Sequence, residues 1–205
     1  MAEFSICVKK KLTNAMEKLR SEGLGNAQLS SRDQYDSASF YLLIRTKRQV
    51  VAMVRLTPQK LQSVLGDWAS DRESIPIGED IIEATRSVVA KSFRGIGLYK
   101  LLMSHLALYV GQFQHVSKTI GAIEPDFPGW RFLQELGFAE FGTAKFVDPP
   151  LSRERECRLI VQHHADSQNA VKRISNALIE SFEAGPHTFR IEKSFYNLRC
   201  FLSLT

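Results

Sequence analysis

Residues 80–110 read DIIEATRSVVAKSFRGIGLYKLLMSHLALYV, from Asp80 to Val110. Ile81 to Ala90 is rich in β-branched and small residues, the composition of a buried strand. Lys91-Ser92-Phe93-Arg94-Gly95-Ile96-Gly97 is a basic turn. From Leu98 the apolar residues Leu101, Leu102, Leu106, Tyr109 and Val110 recur at helical spacing on one face. A helix beginning directly after Gly97 points its free backbone N–H groups, and the positive end of its dipole, into the turn. Glycines let an anion approach the backbone, and Arg94 and Lys91 add charge, so the turn is a candidate phosphate cradle. It is neither G-x-G-x-x-G nor G-x-x-x-x-G-K-[ST]. An ordinary βα turn accounts for a glycine pair before a helix equally well, and these features alone leave both readings open.

Before this stretch, Phe4–Val8 reads as a short strand. Lys9–Glu22 reads as a helix with Leu12, Ala15, Met16 and Leu19 on one face, stopped by Gly23 and Gly25. Asn26–Asp36 is polar and loop-like. Ser39–Arg45 and Gln49–Leu56 form a hairpin about Thr46-Lys47-Arg48, and a short helix lies within Lys60–Trp68. After the stretch, His115–Ile123 is a strand and Trp130–Glu135 a helix closed by Gly137. Phe138–Val147 and Glu156–His163 are strands around Pro149-Pro150, and 166–183 is a helix aligning Val171, Ile174, Leu178 and Phe182. The tail from Thr188 is expected to be an extra strand, or an arm on the core or on a second subunit. This order predicts an α/β (α+β) domain with a single mixed, twisted sheet and helices on both faces.

A length of 205 residues gives one domain as the prior. Residues 1–164 are read as that domain, and 165–205 as a helix and tail packed on it or on a partner subunit of a homodimer. The formal net charge of +5 suits an anionic ligand or an acidic carrier protein. It is too diffuse for nucleic acid, because Lys9-Lys10-Lys11 is read as the solvated face of the first helix. The three cysteines (Cys7, Cys157, Cys200) are scattered and odd in number, so they imply no disulfide framework. His105, His115, His163, His164 and His187 lack metal-ligand spacing, and no metal is expected; His105 is read as a packed core residue. No run has membrane-spanning length and no signal-peptide core is present, so a cytoplasmic location is expected.

Arg94-Gly95-Ile96-Gly97-Leu98 resembles the R-x-x-G-x-G/A pyrophosphate loop of the GNAT superfamily of N-acyltransferases, with Tyr99 where that family usually has Gly or Ala. Trp130-Arg131-Phe132-Leu133-Gln134-Glu135-Leu136-Gly137-Phe138 resembles that family's second signature, an aromatic helix closing in L-G-F. The resemblance covers about residues 39–164. It implies the GNAT fold, with acetyl-CoA or a longer acyl-CoA as co-substrate. The donor would be held by Val88, Val89, Lys91, Arg94, Gly95, Ile96, Gly97 and Leu98, and the acceptor would be a small amine or an amino-acid-like molecule. Where many family members carry a tyrosine acid, this chain has Leu133.

A narrower resemblance runs over about residues 33–87. Asp33-x-x-Asp36, Tyr41-Leu42-Leu43, Arg55-Leu56-Thr57-Pro58 and Glu83-x-x-Arg86 look like the ordered signature of the autoinducer synthases, which make acyl-homoserine lactones. The match implies that Asp33, Asp36, Arg55 and Arg86 line the acceptor side, with S-adenosylmethionine and acyl carrier protein as alternative substrates. The aromatic residues which that family places before the acidic pair are missing between Arg20 and Asp33. Amine acylation needs a neutral amine, and Glu83, on the strand that leads into the loop, is the candidate base. Glu83, Arg86, Arg55 and Asp36 could instead form a buried ion-pair network that orders the sheet. Three functions therefore follow: an acyl-CoA-dependent N-acyltransferase, a lactone synthase, or a non-catalytic acyl-CoA-binding or interaction module.

Overall fold

The computed structural model describes residues 2–24, 32–148 and 153–196. Strand β1 (Ala2–Lys9) leads to helix α1 (Asn14–Leu24), a 3₁₀ turn at Gln34–Ala38, and the hairpin of β2 (Phe40–Arg45) and β3 (Val50–Pro58). A short helix, α2 (Val64–Trp68), precedes β4 (Ile81–Val89) and a 3₁₀ turn at Lys91–Phe93. Helix α3 (Leu98–Val110), β5 (Lys118–Ile123), α4 (Trp130–Glu135), β6 (Phe138–Asp148) and β7 (Arg153–His163) follow. Helix α5 (His164–Glu183), β8 (His187–Ile191) and a 3₁₀ turn at Lys193–Tyr196 end the described chain.

The strands form one mixed sheet in the order β6-β7-β5-β4-β3-β2-β1-β8, with β4–β5 and β1–β8 parallel. Side chains alternate between its faces. Ile6, Leu42, Ile44 and Ile82 pack with α3 and α5, while Cys7, Tyr41, Leu43 and Met53 pack with α1 on the other side. This is the mixed sheet covered on both faces that the sequence predicts. The segment read as an appendage supplies α5, which lies against α3, and β8, which extends the sheet beyond β1.

One irregularity shapes the middle of the sheet. Arg55 pairs with Thr85, but Met53 pairs with Val88, so β4 holds one more residue than β3 across this step. The surplus falls at Arg86–Ser87, and Arg86 takes φ 55, a left-handed conformation rare for a bulky residue. The bulge flips the side-chain parity. Ile82 and Ala84 face α3 before it, whereas Val89 does so after it and Val88 turns toward α1. Strands β4 and β5 pair only over Ile81–Glu83 and Lys118–Ile120, although both continue beyond.

Several expected boundaries shift. The first helix starts at Asn14, not Lys9, because Lys9 is still paired with Tyr41 of β2 and the Thr13 carbonyl accepts the first helical N–H groups. Lys9-Lys10-Lys11 is therefore strand end and bend, not a helix face. Gly23 lies inside α1 and does not stop it. Part of the expected polar loop, Gln34–Ala38, is a 3₁₀ turn, and His115 precedes β5. Gly25, the Pro149-Pro150 turn, Cys200 and the tail beyond Tyr196 lie outside the described residues.

Candidate active site

The first half of the site is a cleft of about 770 Å³ in front of α3. Val88 and Val89 form one wall, Phe127 and Pro128 another, and Gly95 and Gly97 lie at the mouth of the helix. Gly95 and Gly97 sit at φ 84 and φ 88, where an L side chain is strained. A Cβ at either would meet nothing within 4 Å, so the backbone there is open. Gly97 is the N-cap of α3 and has no side chain to satisfy the first N–H groups, which leaves them for a ligand. Lys91 and Arg94 are exposed beside this turn. Arg94 Nε donates to the Val89 carbonyl at 3.2 Å and Nη2 to the Gly23 carbonyl at 3.4 Å, which ties the loop to α1. Gly23 permits that approach, since a Cβ there would stand 1.8 Å from Val88 Cγ2.

The second half is a charged network under α1. Asp33 and Asp36 form a capping box: the Asp33 carboxylate accepts from Tyr35 N, and the Asp36 carboxylate from Asp33 N. The same carboxylates receive arginines from three elements. Arg55 on β3, fully buried, donates Nη1 to both Asp33 oxygens at 2.6 and 2.7 Å and to Asp36 at 3.2 Å, and Nε to Thr85 at 3.0 Å. Arg20 on α1, also fully buried, donates Nη1 to both Asp36 oxygens at 3.0 and 3.1 Å. Arg86, from the bulge, reaches Asp33 at 3.5 Å and lies 4.7 Å over the Trp68 ring. Burial pushes Asp36 up, but the hydrogen bonds from Tyr41 and Asp33 N and the charges of Arg20 and Arg55 prevail and hold it below the ordinary carboxylate range. Among the described residues, three guanidinium groups meet these two carboxylates, so the cluster is rich in positive charge. An adjoining cavity of about 640 Å³ is lined by Lys10, Lys11, Arg32, Asp33, Asp36 and Ser39.

Glu83 stands apart from this network. It is fully buried, and its two oxygens accept four hydrogen bonds. Gln59 Nε2 and Ser63 Oγ donate to Oε1 at 2.7 Å each, and Val64 N and Leu65 N donate to Oε2 at 2.7 and 3.0 Å. Burial pushes its carboxyl above the ordinary range, against the pull of those donors. The expected network of Glu83, Arg86, Arg55 and Asp36 is therefore two separate clusters, with Arg20 and Asp33 joining the one and Glu83 caught by the start of α2.

Residues 15–104, which hold this network and the loop before α3, match the family model described as an acetyltransferase (GNAT) domain. Among solved structures, the acyl-homoserine lactone synthase LasI aligns with a TM-score of 0.60 at 18% identity, over 83% of this chain and 94% of its own. BjaI, a CoA-dependent acyl-homoserine lactone synthase solved with MTA, aligns with a TM-score of 0.60 at 16% identity, over 98% and 100%. The ribosomal-protein-S18-alanine N-acetyltransferase from Escherichia coli gives 0.53 at 10% identity, over 77% and 93%. The chain has the GNAT fold. No curated protein sequence matches it.

On the GNAT fold, the residues named for the donor lie on one surface: Val88, Val89, Arg94, Gly95, Gly97 and Leu98 line the cleft, and Lys91 and Ile96 are exposed on the same turn. The residues named for the acceptor, Asp33, Asp36, Arg55 and Arg86, meet within hydrogen-bonding reach. Sequence reasoning missed Arg20, Trp68 and the α5 residues Leu178 and Ser181, the last two of which line the cleft. Arg20 had a signal: it follows Leu19 and lies four residues after Met16, a charge set in the apolar stripe of α1. Leu133 is buried, and among the described residues no tyrosine of α4 or β6 stands in for it.

Proposed function

We propose that the protein is an N-acyltransferase that takes an acyl group from a CoA thioester in the cleft before α3. The acceptor is a small amine carrying an anionic group, seated beside Asp33, Asp36, Arg55 and Arg86. The observation that carries this reading is that the two half-sites meet at the bulge. Ser87 and Val88 line the cleft, and the preceding residue, Arg86, belongs to the charged network. Pyrophosphate at Gly95–Gly97 would direct the thioester along Val89 and Val88 toward Ser87. There the bulge, where Arg86 and Ser87 face a single residue of β3, would offer a backbone N–H to a developing oxyanion. The amine nitrogen attacks the thioester carbonyl, the C–N bond forms, the C–S bond breaks, and the thiolate leaves while the amine proton passes to water. The three arginines gathered on this side favour an acceptor with a carboxylate, as in an amino acid.

A second reading, lactone synthesis, is favoured by the Asp33–Asp36–Arg55–Arg86 cluster. BjaI is described as CoA-dependent, so a CoA donor and lactone synthesis are compatible on this fold. In that case the acceptor is S-adenosylmethionine, and methylthioadenosine is released. An acyl carrier protein donor is a further arm of the same test.

Calorimetric titration with acetyl-CoA and a long-chain acyl-CoA, followed by thiol release over a panel of amines, amino acids and S-adenosylmethionine, tests the proposal. Arg94→Ala is expected to weaken donor binding about tenfold, the loss of one charge-assisted contact. Absence of binding by any thioester, with Arg94→Ala indistinguishable from wild type, removes the proposal. Binding without thiol release leaves a non-catalytic acyl-CoA-binding module.

A further inference from the structure

Glu83 is the centre of a clamp on the segment between β3 and β4. Its Oε2 takes the first two N–H groups of α2, and its Oε1 takes Ser63 Oγ, which itself accepts from Gly66 N as the N-cap of that helix. Gln59 extends the clamp to the far end of the segment: its Nε2 also donates to the Pro76 carbonyl at 2.9 Å, and its Oε1 accepts from Gly78 N at 3.0 Å. A carboxylate has about four lone-pair sites, and here all four are used. Taking a proton from a substrate would require breaking one of these bonds at a fully buried carboxylate.

The other end of α2 faces the acceptor network. Asp67 accepts from the Tyr35 hydroxyl at 3.1 Å. The Trp68 ring stands edge-on to Tyr35 at 5.8 Å, with the Arg86 guanidinium 4.7 Å over its face. Arg86 projects from a backbone in the left-handed region and meets Asp33 at 3.5 Å. The aromatic face is thus a second support for a side chain that the bulge alone does not aim.

We propose that Glu83 is a positioning residue and not the base: it holds α2 so that Trp68 keeps Arg86 against Asp33, and Trp68 thereby shapes the acceptor side of the site. The proposal rests on the acyltransferase reading only for what that side of the site does; the clamp itself is tested without turnover. Of the two tryptophans, Trp130 is removed by Trp130→Phe, which leaves Trp68 as the reporter. In that background Glu83→Ala should red-shift Trp68 emission and raise its acrylamide quenching roughly twofold, as a locally opened helix does, with far-UV circular dichroism retained. Glu83→Gln, which keeps one acceptor oxygen, and Ser63→Ala should give smaller shifts in the same direction. They carry the test if Glu83→Ala does not fold.

With acetyl-CoA and the best amine of the panel, Glu83→Gln and Trp68→Leu should each raise the acceptor KM roughly tenfold with kcat little changed. The double variant should be no worse than the more severe single one, since both act through one element. The acid limb of the pH–rate profile should persist in Glu83→Gln. A folded Glu83→Ala protein with unchanged Trp68 emission and quenching overturns the proposal, as does loss of that acid limb with Trp68→Leu kinetically silent. If no amine turns over, the acyltransferase reading fails, and the fluorescence arm still decides whether Glu83 positions Trp68.

Discussion

Arg20 shows how a single buried side chain sets the character of the acceptor side. Its guanidinium is fully buried on α1 and bonded to both oxygens of Asp36. The same carboxylate also receives the Tyr41 hydroxyl at 2.6 Å, and that phenol is pushed above its ordinary range by burial and by Asp36. A buried ion pair contributes little net stability when intact, but Arg20→Met strips two charge-assisted hydrogen bonds from Asp36, which keeps those from Arg55, Tyr41 and the Asp33 amide. Arg20→Met should destabilise the fold by about 3 kcal/mol, read as a lower urea midpoint at constant m-value. Asp36 loses its nearest cation in that variant, so an anionic acceptor should bind more weakly while donor binding in the cleft is spared. Equal loss on both sides would show that Arg20 serves α1 as a whole. The Asp33–Asp36 pair was legible in the sequence because its i, i+3 spacing is a local capping box as well as a motif. The partners of Glu83 were not: two are backbone amides about twenty residues away in sequence, and amides leave no signature in side-chain identity.

At the scale of elements, α1 joins the two half-sites. Arg20 ties it to the network, and three residues later Gly23 lies against Val88 and offers its carbonyl to Arg94. Periodicity marks the body of this helix, but not its start, because the strand pairing of Lys9 with Tyr41 is a long-range contact. A glycine near a helix end looks the same in sequence whether it caps the helix or, as Gly23 does, admits a close neighbour. Gly23→Ala distinguishes these roles. Its Cβ would fall 1.8 Å from Val88 Cγ2, so α1 must move off β4 at a cost of about 1–3 kcal/mol. Because Val88 also lines the cleft, acyl-CoA affinity should drop with stability. Val88→Ala in the same chain should restore much of both, as measured by urea unfolding and thioester titration. A stabilising Gly23→Ala would mean that the helix has slack there.

At the scale of the whole molecule, α5, β8 and the 3₁₀ turn at Lys193–Tyr196 are docked over histidines. His105 is fully buried, with Nδ1 2.8 Å from the Leu101 carbonyl and its ring against Phe189 and Phe195. His164, at the start of α5, meets Thr119 Oγ1 at 3.0 Å. Burial pushes each imidazole down to about 4. Both are therefore neutral in the folded state, while the unfolded chain protonates them near 6.5. Their stabilising effect is fully present above that value and is lost as pH falls toward 4, by about 1.4 kcal/mol per pH unit for each histidine. At pH 5 the loss is about 2 kcal/mol apiece. Other groups contribute to the pH dependence too, but a comparison against His105→Leu cancels them. The difference in unfolding free energy between wild type and His105→Leu should shift by about 2 kcal/mol in favour of the variant from pH 7.5 to pH 5.0 in urea melts. A difference that stays constant across that range would mean that His105 takes up its proton without disturbing the seam between the C-terminal segment and α3.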